Sequence, residues 1–152
     1  MKNNLLTLFL SPYKKETQFL QSFEIIKNKG YGTFKTTSNF YCSENKPVEH
    51  FSAVELQICL NQLLYLYFAH LNLFDKSTFS NKETFVEQLN KNNFITEQTM
   101  HFKKPIDVSS SFQGVIEVLK SKKIKNTVFM ECLYTFEMNC YGTVKVAHII
   151  EN

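Results

Sequence analysis

The chain has 152 residues, 43% of them hydrophobic, with 15 Phe and 7 Tyr, which excludes a wholly disordered polypeptide and fits one domain over 1–152. A net charge of +3 is too mild to argue for a nucleic-acid partner. All 17 basic residues are Lys, so a phosphate or carboxylate would meet point charges or backbone amides, not the bidentate fork of Arg. Cys42, Cys59, Cys132 and Cys140 lack CxxC spacing and read as free thiols of a reducing compartment. The apolar run Leu5–Leu10 is shorter than the core of a secretory signal, and Leu63–Ala69 falls well short of the about 20 residues that span a bilayer. A cytoplasmic protein without a membrane span is the expectation.

In chain order, residues 1–13 read as an apolar strand or arm, opening an N-terminal lead-in over 1–29. Lys14 to Asn28 predicts a short helix, with Phe19, Leu20, Phe23, Ile26 and Lys27 at helical spacing and Gly30 and Gly32 ending it. Gly32 to Cys42 alternates like a strand, and Ser43–Pro47 reads as a turn or loop.

The central element is His50–His70, HFSAVELQICLNQLLYLYFAH, a helix entered through a Ser52/Glu55 capping box. Leu56, Leu60, Leu63 and Tyr67 share one broad face. Gln57, Asn61 and Tyr65 form a second stripe at i, i+4, i+8, flanked by Gln62 and Glu55. After Glu55 the helix carries no Lys, Asp or Glu, whereas a solvated face normally does. A largely buried helix follows, with its uncharged polar stripe turned to an enclosed site.

Asn72–Phe79 connects to a second helix, capped by Ser80 and running to about Asn90, with Phe85, Val86 and Leu89 inward; Asn90–Asn93 reads as loop. Beyond Asn92 the period changes to two. Phe94–Phe102, Ser111–Leu119, Thr127–Asn139 and Gly142–Ile150 are strand candidates, with a polar turn at Lys120–Asn126 and a break at Cys140–Gly142. One buried helix followed by antiparallel strands over 92–151 is an α+β arrangement. Its simplest form is the hotdog, a curved antiparallel sheet wrapped around the helix at 50–70. Such a sheet leaves an edge strand open, and edge pairing in a homodimer would close it.

The segment Ala53–Tyr65, with the Asn61-Gln62 pair two residues after Cys59 and Tyr65 beyond, resembles the central helix of the FcoT-like thioesterase family. Phe102–Gly114, with Pro105, Asp107, Phe112 and Gly114, is similar to the strand pair that follows it there. The resemblance implies a hotdog enzyme acting on fatty acyl thioesters carried by coenzyme A or an acyl carrier protein, with no cofactor of its own. It also implies an alternative, glycine addition to an enoyl group on a carrier protein followed by release, as in isonitrile lipopeptide pathways. A non-catalytic acyl-binding or carrier-protein-binding domain is a further alternative.

Either reaction needs a polarised carbonyl and a placed nucleophile. Asn61 is the first candidate, since its amide can donate to a thioester oxygen and accept from water or an amine. Tyr65 lies one turn on and could donate, while Gln57 and Gln62 are candidate substrate contacts. Glu55 could serve as a base or only as a cap, and His50 could polarise or relay a proton. Cys59, amid Leu, reads as an inert small hydrophobe. His70, His101 and His148 have no partner at ligand spacing, so no metal site is expected. Lys120, Lys122, Lys123 and Lys125 crowd one predicted turn. Lys122 and Lys123 are candidates for the phosphates of coenzyme A or an acidic carrier surface.

Overall fold

The computed structural model describes residues 2–36, 50–70 and 82–150. In order these form α1 (Lys2–Leu10), a 3-10 turn (Lys15–Thr17), β1 (Leu20–Ile26), β2 (Lys29–Phe34), α2 (Ala53–His70), α3 (Lys82–Asn92), β3 (Asn93–Gln98), β4 (His101–Phe102), β5 (Phe112–Ile124), β6 (Thr127–Phe136) and β7 (Cys140–Ile149). The expected loop at 43–47, the connection at 72–79 and the Ser80 cap lie outside the described residues. The strands make one antiparallel sheet in the order β1-β2-β5-β6-β7-β3, with β4 also on β7. The alternation expected for the later strands is plain in β6, where Val128, Met130, Cys132, Tyr134 and Phe136 are buried and the residues between them are not.

Three N-terminal expectations change. Residues 2–10 are helical, not an arm: Phe9 and Leu10 are buried where α1 packs on α2 and α3. Pro12 bars continuation, and Gln18 Nε2 donates to the trailing carbonyls of Leu10 (3.0 Å) and Tyr13 (2.9 Å). The helix expected over 14–28 is instead β1. A bulge between Leu20 and Ser22 turns the strand's phase, so Leu20, Phe23 and Ile25 all meet the core and imitate helical spacing. What ends β1 is the Lys27-Asn28 turn, both residues at positive φ (49° and 64°), the type I′ hairpin geometry. Gly30 and Gly32 lie inside β2 and give the helix room. A methyl group at Gly30 would stand 2.9 Å from the Tyr67 ring, and one at Gly32 3.0 Å from Leu63.

The later boundaries also shift. Lys120–Ile124 belong to β5, and the turn is only Lys125-Asn126, with Lys125 at φ 54°. The β6–β7 turn is Glu137–Asn139, so Cys140–Gly142 are strand residues. Asn92 ends α3 and Asn93 begins β3 with no loop between them. Residues 103–111 carry no strand. Among the described residues no helix is long and apolar enough to cross a membrane.

Candidate functional site

The capping box at the start of α2 is formed. Glu55 Oε2 accepts from the Ser52 backbone amide at 2.9 Å and from the Ser52 hydroxyl, and Ser52 Oγ accepts from the Val54 amide at 3.2 Å. Leu56, Leu60, Leu63 and Tyr67 are fully buried, and α2 lies against β1, β2 and β5. Tyr67 anchors this side. Its hydroxyl donates to the Asn28 carbonyl (2.6 Å) and accepts from the Val118 amide (3.2 Å), next to the bulge that interrupts β5 between Val118 and Lys120.

That seating leaves a gap on the other flank. Between α2 and the strands β3 and β7 opens a cavity of about 310 Å³. Asn61, Tyr65 and Phe68 line it from the helix, and Asn93, Ile95 and Val146 from the sheet. Asn61 and Tyr65 of the uncharged stripe therefore face a cavity, whereas Gln57 does not line it. Gln57 Nε2 donates to Asn61 Oδ1 at 2.9 Å, which occupies the oxygen and leaves the Asn61 amide nitrogen as the end that can donate. Burial raises the Tyr65 hydroxyl above its ordinary pKa, against a smaller lowering by a hydrogen bond with Tyr13. Burial, and then the neighbouring Tyr65, push Tyr13 far up. The rings stand 6.4 Å apart, and both phenols stay protonated donors at neutral pH. Sequence reasoning missed Tyr13, which reaches the stripe from beyond the Pro12 bend; no spacing signal links it to α2.

The other candidates go elsewhere. Gln62 is corrected from substrate contact to structural clamp. It is 0% exposed; its Oε1 accepts from the amides of Phe19 (3.1 Å) and Leu20 (3.0 Å), and its Nε2 donates to the Thr17 carbonyl (2.6 Å). Glu55 is held by its cap, and His50 is exposed ahead of the helix. At 1.5 Å per residue Glu55 lies roughly 9 Å along the axis from Asn61, and neither it nor His50 lines the cavity. Burial, and then the Glu55 charge, push the Cys59 thiol well above its ordinary pKa, which keeps it a neutral, poor nucleophile. Lys122 and Lys123 are not in a turn. The β5 bulge pairs Lys122 with outward Phe129 and Lys123 with buried Val128, so only Lys123 stands on the helix side of the sheet.

A family model for the FcoT-like thioesterase domain matches residues 8–147. Among curated protein sequences none matches. Solved structures similar to this chain include Cj0977, a sigma28-regulated virulence protein of Campylobacter jejuni (14% identity, TM-score 0.57, covering 99% of this chain and 92% of that one). A hypothetical thioesterase of Streptococcus pneumoniae TIGR4 with coenzyme A is similar at 11% identity and TM-score 0.55, over 99% and 100% of the two chains. A mutant form of the Pseudomonas aeruginosa thioesterase PA1618 is similar at 8% identity and TM-score 0.59, over 98% and 94%. At these identities the likeness is one of fold, and the fold is the hotdog.

Proposed function

The chain belongs to the FcoT-like thioesterase family, and from that premise we propose that it hydrolyses fatty acyl thioesters in the cavity between α2, β3 and β7. The observation that carries the reading is the Gln57–Asn61 hydrogen bond, which fixes the helix amide with its nitrogen as the available donor. A thioester oxygen beside that nitrogen gains negative charge as the carbonyl carbon is attacked, and a donor aimed at it stabilises the transition state more than the ground state. Tyr65, protonated and backed by Tyr13, supplies a hydroxyl on the same wall. Water is the nucleophile in this reading: its oxygen bonds to the carbonyl carbon, the C–S bond breaks, and the thiol leaves carrying a proton. The buried Cys59 takes no part.

The anionic carrier end, coenzyme A or a phosphopantetheine-bearing protein, is assigned to the side where Lys123 stands. A second copy of the chain, pairing along β3, would cover the open side of the cavity. Phe94 is 49% exposed on that edge strand and Ile95 39%.

The test is turnover of an acyl-CoA series by the wild type and three variants. Asn61→Ala should lower kcat by about 10²–10³ with the fold intact, the size of effect seen when one such donor is removed. Wild-type rates in that variant would remove Asn61 from the reaction. Lys123→Glu should raise KM with kcat little changed, while Lys122→Glu, on the far face, should leave both alone. Equal effects of the two would return the lysines to an undirected surface charge.

A further inference from the structure

The strand wall of the cavity contains a second amide held in the same manner as Asn61. Asn93 opens β3 directly opposite His148 of β7 and lines the cavity together with residues of α2. His148 Nδ1 lies 2.8 Å from Asn93 Oδ1. Because that oxygen only accepts, the bond selects the tautomer with the proton on Nδ1. Burial lowers the His148 pKa to about 4, so the imidazole stays neutral at ordinary pH. With its oxygen engaged, Asn93 is left with Nδ2, which is buried and has no hydrogen-bond partner among the described residues. A buried donor without an acceptor is rare in a folded protein and calls for an explanation. The neighbouring Asn92 Nδ2 is likewise buried and unpartnered, but Asn92 ends α3 and does not line the cavity.

Resting on the acyl-thioester reading of the cavity, we propose that Asn93 is a second donor to the acyl oxygen, facing Asn61 from the sheet, and that His148 positions its amide. Two asparagines would then form the two-donor arrangement that stabilises an oxyanion, one from the helix and one from the strand. In each, a neighbour occupies the oxygen and leaves the nitrogen to the ligand. His148 touches no substrate; it acts through Asn93. No bond to protein is made or broken in this role, so the hydrolytic balance is unchanged.

Two non-reactive probes separate the donors from the rest of the site: an acyl-CoA analogue with a ketone in place of the thioester, and the S-alkyl thioether, which keeps the chain but lacks the oxygen. Their affinities for the wild type should differ by about tenfold or more in favour of the ketone. Asn93→Asp keeps the side-chain shape and the contact with His148 but replaces the donor by an acceptor. It should bring the two affinities within about twofold to threefold of each other and lower kcat by about 10². Asn92→Ala should preserve the wild-type ratio. His148→Leu should reduce the ratio and kcat with KM little changed, and His148→Gln, whose amide can still donate to Asn93, should restore most of both.

An Asn93→Asp protein with the wild-type ratio overturns the donor role, and a His148→Leu protein with that ratio overturns the positioning role. Wild-type protein that binds both probes equally shows an acyl site in which no donor meets the oxygen, which also overturns the proposal. Binding of neither probe instead brings down the acyl-thioester reading itself.

Discussion

An amide side chain carries a donor and an acceptor, and a ligand can use only what its protein neighbours leave. Asn61 and Gln62 are adjacent in sequence and alike in chemistry, yet one lines the cavity and the other ties three backbone groups of the 17–20 segment to the helix. Gln62→Leu removes those bonds and strands two amides in the core, so unfolding in urea should show a loss of about 3 kcal/mol. KM for acyl-CoA in the folded fraction should stay at the wild-type value; a raised KM would return Gln62 to the substrate. Asn61 and Tyr65 are readable from the sequence because a single helix turn relates them. Asn93, His148 and Tyr13 are not, because they meet the stripe only through the sheet register and the Pro12 bend. No local period encodes either relation.

At the scale of elements, α2 is legible because its cap, its apolar face and its uncharged stripe all sit in one continuous segment. β1 passes for a helix since its bulge presents core residues at spacings a helix would use, and its Lys27-Asn28 turn lacks the glycine that usually marks type I′ geometry. The hairpin lysines imitate a turn because a run of charge resembles a break, whereas β5 runs on beyond the helix with its side chains in solvent. The cap also decides what Glu55 does. Glu55→Gln keeps an acceptor for the Ser52 amide while removing the carboxylate. It should cost about 1 kcal/mol or less in thermal unfolding and leave kcat within about twofold. A fall in kcat of about a hundredfold with the fold intact would make Glu55 a base after all.

For the whole molecule, the sheet ends in two edges, and the one beside the cavity carries exposed Phe94, Ile95 and, on β4, Phe102. With a second copy on β3, sedimentation should give twice the 17.8 kDa chain mass, and Phe94→Lys should shift the protein towards monomer by about tenfold or more in Kd. A wild type that sediments at the single-chain mass at tens of micromolar rules that pairing out. The helix leans on one half of the sheet, and this divides the labour between its two sides. The half made by β1, β2 and β5 holds the helix in place, while the edge strand β3, none of whose residues is fully buried, lines the cavity beside the core strand β7. Residues along that edge can therefore change while the other half keeps the chain folded. Such a division suits an architecture that solved structures only 8–14% identical to this chain also adopt.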